Sequence, residues 1–454
     1  MTNDNEEEAL AREILDALYP FNLSIVGEDN DRFVSAIQQF LDFKVIEFAS
    51  GSSNLGWTIP DAWELLDFSL SQNGSLVPID YNSPFIVSKN AKSVDIELTW
   101  GELQKHLCIP EKWQEDGLPY DWRNLYREIS NQDWSISLTR KQFEALDRSA
   151  TFRVIIQSEF RSGKMKVLEA QSQVSDYSLN IFVNAHNCHP YQANDDISGI
   201  VAAILLHRRA SKRVRAKINL ITLIAPEILG PHFYLDTLKF EQKLDCYGGA
   251  ILFKSIGNKG PLKLQEAFDD ISVFNRAARK SFIDASHLPE NMFKFRELYG
   301  NDEIVFECPP FRIPSITLTR FPFASYHTSA DTPANVEVSS IIEAVDVAEN
   351  MLEILDSNTD YQWNRTGLPK LNTTKHNLYR AAPMPGMSRD STREDAGSSD
   401  KSWNLLMNSI PSLISAGLDT LTISERYRLN YHAVYEYLKQ WEKAGHVSRS
   451  KGSR

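Results

Sequence analysis

Cysteine is scarce in this chain. The four present, Cys108, Cys188, Cys246 and Cys308, are widely spaced and form no CxxC pair. That excludes a disulfide framework and suits reduced thiols in a cytosolic protein. Long apolar runs are missing too. No stretch of about eighteen apolar residues occurs, so no membrane span is expected. The N-terminus, MTNDNEEEALAREIL, is acidic and lacks the basic-then-apolar layout of a signal peptide. Together these absences point to the cytoplasm. Positive charge is in deficit: 48 Lys and Arg face 60 Asp and Glu, a formal net charge of -12. The whole chain is therefore no nucleic-acid coat, although a local basic patch is compatible with it. Apolar residues, in contrast, make up 42% of 454 positions, enough core for two or three domains.

The chain divides by pattern. Residues 1–43 have helical spacing, with Leu10, Ile14, Ala17 and Leu18 on one face and Phe33, Ile37, Phe40 and Leu41 as a second apolar set. Residues 44–150 hold short β-like runs (FKVIEF, LVPI, PFIVS, SVDIEL, SISLT) broken by Gly, Pro and Asn, and read as an inserted β-rich subdomain. Trp57, Trp63, Trp100, Trp113, Trp122 and Trp134 lie there, and core packing explains them better than a binding cleft. Residues 151–358 alternate apolar strands (FRVIIQ, LNIFV, INLITLI, GGAILF, PSITLTR) with helical runs at Gly199–Arg209, Ala267–Ala285 and Ser339–Leu355. That pattern predicts an α/β core with a mostly parallel sheet covered on both faces. Residues 359–400, rich in Pro, Gly, Ser and charge, read as a linker.

Residues 401–454 predict three short helices and a strand, the outline of a winged helix-turn-helix; Pro411 marks a kink or fresh start and Gly445 a C-cap. Eight Lys or Arg face four acids there, so this end is about +4 and the rest about -16. The helix NYHAVYEYLKQWEKAG offers only Lys439 and Lys443 to a phosphate backbone, which favours a protein partner or packing on the chain itself over DNA.

The densest chemistry lies in NAHNCHPYQANDDISG, Asn184 to Gly199, between the apolar run LNIFV and the helical run SGIVAAILL. Open α/β sheets place ligands where strands end and helices begin. Imidazole and carboxylate brought together there suit a divalent zinc ion. Glu227 follows INLITLI, Asp302 and Glu303 sit in GNDEIVFECPPF, and His327 follows PSITLTR in SYHTSADT. Each alone reads more simply as a structural histidine or a solvated turn; their recurrence at strand ends gives the set its weight.

The order HxC–HP–xxxNDDxSG, PExxG, NDE and YHTSADT resembles the zinc aminopeptidase-type exopeptidases, the group that includes leucyl aminopeptidases and glutaminyl cyclases. The resemblance covers about residues 150 to 355. The whole layout is closer to a bacterial family of aminopeptidase-like proteins sharing an HxCHP…ANDN.SG motif and an inserted domain of unknown function, many of which end in a winged helix. It implies a three-layer zinc-exopeptidase-like core. Metal ligands would be His186, with His189 as the alternative, Asp195 and His327; the catalytic carboxylates would be Glu227, as general base, and Glu303, which stands where the peptidases have a histidine.

The departures from that pattern bear on the metal count. Cys188 replaces the aspartate that orients a ligand histidine, Ile228 replaces a glutamate ligand, and Lys254 stands where a further aspartate is expected. Two complete zinc sites are not supported. One zinc with water as fourth ligand and Glu227 as base, Glu227 as a ligand with other chemistry, or a retained fold without metal all remain open. The reading that follows is a single-zinc amide hydrolase of aminopeptidase type, acting on a small peptide or an acylated small molecule. The alternative is a non-catalytic scaffold or regulator whose winged helix binds a protein partner or DNA.

Overall fold

The computed structural model describes residues 2–127, 133–172, 179–213, 217–240, 247–298, 300–373, 378–380 and 398–450. Cys246 and much of the expected linker lie outside the described residues. The chain forms two compact units, residues 1–270 with 290–346 and residues 271–289 with 347–454.

In the first unit eight strands form one mixed sheet. Their order is Lys44–Ala49, Lys164–Gln171, Ile218–Ala225, Leu179–His186, Tyr247–Lys254, Ser315–Thr319, Lys263–Gln265 and Met292–Phe293. The four central strands, from Ile218–Ala225 to Ser315–Thr319, are parallel. Parallel neighbours need a long crossover, and helices Gly199–Ser211 and Leu229–Phe240 supply two of them. The sheet is less parallel than expected, because Lys44–Ala49, Lys164–Gln171 and Lys263–Gln265 enter without such helices and pair antiparallel.

Every residue of Ile218–Ala225 is buried, because both faces of the sheet are covered. On one face Phe182, Leu223, Ala225, Ala250 and Leu252 pack with Leu229, Phe233, Leu235 and Phe306. The opposite face meets the helix Gly199–Ser211, where His207 Nδ1 lies 2.9 Å from Thr222 Oγ1. The N-terminal helix Thr2–Leu18 buries Ala11, Ile14, Leu15 and Leu18, a stripe rotated from the one expected through Leu10 and Ala17.

A second sheet, antiparallel, has the order Ser75–Leu76, Ala62–Gln72, Thr151–Arg161 and Val94–Thr99. Two strands change places relative to the sequence reading. Lys44–Ala49 belongs to the large sheet, and Thr151–Arg161 to the small one. The second case has a visible cause: Phe152, Val154 and Ile156 face inward while Thr151 and Arg153 face out, the alternation of a half-exposed antiparallel strand. Trp134 is buried in the core of this sheet and Trp63 and Trp100 pack against it, whereas Trp113 and Trp122 are exposed.

In the second unit the helix Val273–Asp284 starts later than expected, with the Ser272 hydroxyl accepting the Asn275 N–H at its start. Helices Ser398–Ser415, Thr420–Tyr427 and Tyr431–Lys443 pack around Leu406, Ile410, Val434, Tyr437, Leu438 and Trp441. The first of these continues through Pro411. Gly445 ends the last one with φ +73°, its N–H donating to the Glu442 carbonyl at 2.8 Å. The strand Val447–Arg449 pairs with Tyr361–Trp363, so the segment read as linker opens with a strand.

Gly199 lies where helix and sheet meet closely, since an added Cβ would collide with the Phe253 carbonyl oxygen. Gly199→Ala is expected to destabilise this unit by about 1–3 kcal/mol. Gly101→Ala, where the nearest atom would be 4.0 Å away, is the control. Urea unfolding checks the pair, and equal midpoints would remove the packing argument.

Candidate metal centre

The strand Leu179–His186 ends on its C-terminal histidine. The chain then turns through Tyr191, with φ +48°, into one irregular helical turn, Ala193–Ser198, before the helix at Gly199. Asp195 is non-helical within that turn, with φ -116° and ψ 81°, which sets its carboxylate apart from the helix axis. The distortion is held from outside: the Asp331 carboxylate accepts the N–H of Asn194 at 2.9 Å and of Asp195 at 3.0 Å. Asp331 comes from SYHTSADT, so one carboxylate joins the two most distinctive motifs. Asn194 Oδ1 accepts the Gly257 N–H at 2.7 Å, and Ser198 Oγ the Ile256 N–H at 3.1 Å. These contacts fix the chain just past Lys254.

The predicted ligands converge. His186 Nε2 lies 2.8 Å from Asp195 Oδ1 and 2.6 Å from Asp196 Oδ1. His189 Nδ1 lies 2.5 Å from Asp196 Oδ1, and its Nε2 3.9 Å from Glu227 Oε2. His327 Nε2 lies 3.1 Å from Asp195 Oδ2. Lys254 Nζ lies 3.3 Å from Glu227 Oε1 and 3.9 Å from Asp195 Oδ1. Both histidines of the HNCH segment therefore belong to the cluster, and the choice between them stays open.

Glu303 is buried but accepts N–H bonds from Asn301 in its own loop, at 2.8 and 3.0 Å. Its neighbour Asp302 reaches the centre's wall instead, accepting the Ile228 N–H at 2.6 Å and the Asn184 amide at 2.7 Å. The Cys188 thiol accepts the Glu227 N–H at 3.3 Å, leaving His186 Nδ1 buried without a hydrogen bond. Burial raises that thiol well above its usual pKa, so without a metal beside it the group stays protonated.

Sequence reasoning passed over Asp196 and Asp331. Asp196 touches both histidines and also accepts the His189 N–H at 2.8 Å. Its adjacency to Asp195 was the available signal. Asp331 carried none, since a lone aspartate after a histidine motif is common in loops.

The electrostatics are those of a cation site. Burial opposes ionisation of Asp195 and Asp196, yet Lys254 and His186 hold Asp195 well below the usual carboxylate range, and His186 and His189 hold Asp196 down to about 2. Burial likewise opposes the charged imidazole of His186, but Asp196 and Asp195 push it up to about 10. His327, buried, is pushed down to about 4 and offers a neutral imidazole. Asp195 Oδ2 and His327 Nε2 face each other, buried, yet neither forms an aligned hydrogen bond. Ligand atoms left over in this way fit a divalent ion. Ligand atoms of His186, His189, Asp195 and Asp196 all lie within 4.8 Å of one another, as do those of Cys188, His189 and Glu227.

Comparison with known proteins agrees. A Clostridium acetobutylicum protein, provisionally named as a polysaccharide biosynthesis protein with an aminopeptidase-like domain, is 24% identical over 367 residues, 79% of this chain and 80% of its own. The crystal structure of a provisionally named peptidase from Clostridium acetobutylicum superposes with a TM-score of 0.75 at 18% identity, covering 99% of this chain and 98% of its own. A zinc aminopeptidase from Bacillus subtilis gives 0.58 at 13% identity over 77% of this chain and 94% of its own. At these identities the structural likenesses show an aminopeptidase-type fold. Residues 12–358 match the model of a domain of unknown function, DUF4910, and the chain belongs to that family.

Proposed function

We propose that the chain is a single-zinc amide hydrolase of aminopeptidase type. The observation that carries this reading is a charge count. The cluster holds three carboxylates, Asp195, Asp196 and Glu227, and one ammonium, Lys254, which lies beside Asp195 and Glu227, so two negative charges remain on these groups when the histidines are neutral. One divalent ion cancels them; two would leave a surplus of positive charge. His186 or His189, Asp195 and His327 would hold it. Zinc bound there would polarise a substrate carbonyl and lower the pKa of water. Glu227 takes the proton from water and returns it to the leaving amine. Burial raises the pKa of this carboxyl group, but the Lys254 ammonium beside it opposes that and keeps Glu227 ionised, as a base must be. Lys254 stands in for a second cation. Asp302, pushed up to about 6 by burial and by Glu227, holds the backbone beside that base.

Small peptides and acylated amino sugars both present the required amide. The name of the Clostridium relative supports keeping the sugar among them. The three C-terminal helices and their strand pair are read as a winged helix in a cytoplasmic protein. Tyr431, Tyr437 and Trp441 are fully buried and Lys439 is paired with Glu436 at 2.8 Å, which favours packing or a protein partner over DNA.

Three measurements test this reading. Protein expressed with ample zinc is expected to carry about one ion per chain, and His327→Ala less; metal-free wild-type protein would leave the scaffold alternative. Glu227→Gln is expected to keep its zinc and lose about 10²–10⁴ in kcat on an aminoacyl anilide or acylated amino sugar. Full activity in that variant would remove the assigned base. No salt-dependent binding to random duplex DNA is expected; a steep salt slope would restore the DNA reading.

A further inference from the structure

Apart from the metal centre, the first unit holds a cleft of about 1160 Å³ lined by none of the centre's ligands. Its walls come from the N-terminal segment around Asn22 and from the small sheet around Trp63. Most charge there is already matched. Arg161 pairs with Glu64, Lys166 with Asp31, Lys164 with Glu47 at 2.6 Å and Arg32 with Asp29 at 2.9 Å.

Among the described cations of the cleft Lys89 is the exception, while Glu28 and Asp67 line the cleft as carboxylates without an ion pair among the described residues. Lys89 is 5% exposed, and among the described residues no carboxylate oxygen lies within 4.0 Å of its ammonium. Its Nζ donates to Asn22 Oδ1 at 2.5 Å and lies 5.8 Å from the centre of the Trp63 ring. A buried ammonium satisfied by one neutral acceptor is costly. Burial pushes it down to about 8 against the pull of Asp29. The aromatic groups beside it are fixed in place: Trp63 Nε1 donates to the Ala91 carbonyl at 2.9 Å, and the Tyr81 hydroxyl lies 2.6 Å from the Val77 carbonyl.

We propose that this cleft is a second binding site, for a small organic carboxylate that pairs with Lys89 and packs its body against Trp63. A single uncompensated cation matches a monoanion. A phosphate dianion would meet one charge too few, with Asp29, Glu64 and Asp67 also lining the cleft. A carboxylate supplies the missing partner for the ammonium, and the indole supplies a flat apolar wall for a sugar ring or an aliphatic side chain.

Calorimetry on the full chain tests the site with D-glucuronate and with N-acetylleucine, the two arms separating a sugar acid from an amino-acid carboxylate. Methyl glucoside and N-acetylleucine amide are the uncharged controls. At least one carboxylate is expected to bind, with its uncharged control and the Lys89→Met variant each weaker by about tenfold or more. Affinity in the wild type is expected to fall as pH rises through about 8, where the free ammonium loses its proton. Tyr81 and Tyr191, which also line the cleft, are pushed above the usual phenol range by burial and stay protonated and uncharged there. Lys89→Met replaces a buried charge with an apolar side chain of similar length and is expected to fold. If it does not, the pH dependence of the wild type decides. Absence of carboxylate binding, binding unchanged in Lys89→Met, or affinity that stays level across pH 8 would each overturn the proposal.

Discussion

Buried negative charge at the ends of the central strands is the constraint on which the first unit depends. Asp195 and Asp196 are buried and Glu227 nearly so, and such a group of carboxylates is unstable unless positive charge accompanies it. Lys254 provides one charge by covalent attachment to the sheet. Without metal, a proton on His186 provides another, which is why its pKa stands so high. A metal ion would replace that proton, since ligand imidazoles bind metal in the neutral form. Three carboxylates against Lys254 and a protonated His186 leave one negative charge, which a divalent ion in place of that proton would cancel.

Holding those carboxylates together requires a backbone that a regular helix cannot supply. Asp195 departs from helical geometry, and the buried N–H groups of Asn194 and Asp195 would be orphaned without Asp331. Burial pushes Asp331 up to about 8, so its two backbone donors are what keep a charged acceptor in competition with a neutral one. Asn194, Ser198 and Gly199 act on the strand Tyr247–Lys254 and the chain after it: two accept the N–H groups of Gly257 and Ile256 just past its end, and the third is small enough to let helix and strand meet. In NDDISG, then, the two aspartates face the ion site while the flanking residues fasten the turn to Tyr247–Lys254.

This division explains what the sequence revealed and what it hid. His186, His189, Asp195, Glu227 and His327 were legible because each follows a strongly apolar strand, and strand ends converge in a parallel sheet. Lys254 was legible as a departure from the aminopeptidase pattern, and the structure puts its ammonium beside Glu227 and Asp195. Glu303 was chosen by position in a motif, but a short helix starting at that residue turns its carboxylate back onto Asn301. Strand partners were the least legible part. Phe43 to Ala49 and Thr151 to Arg161 look alike as short β runs, and only long-range pairing decides which sheet each joins.

Replacing a metal ligand with lysine alters more than stoichiometry. An ammonium delivers one positive charge where an ion delivers two, and it cannot bridge a substrate atom and a carboxylate in several directions at once. Its three donors can hold Glu227 ionised and aimed, which leaves polarisation of the carbonyl to a single ion. Rate enhancement would then rest on fewer electrostatic contacts to the developing oxyanion than a two-ion centre makes. Such an enzyme needs substrate placement to supply what the second ion would have given, because orientation is the other large contribution to barrier lowering. Tyr120 is suited to that task. It comes from the 114–120 segment, which hydrogen-bonds along the His327 loop, and its ring meets both His189 and His327 edge-on, with centroids 5.3 and 5.6 Å away. The segment that distinguishes this chain from a plain strand-and-helix alternation thereby forms a wall of the candidate metal centre, so that in the proposed enzyme selectivity and rate would be properties of the same contacts.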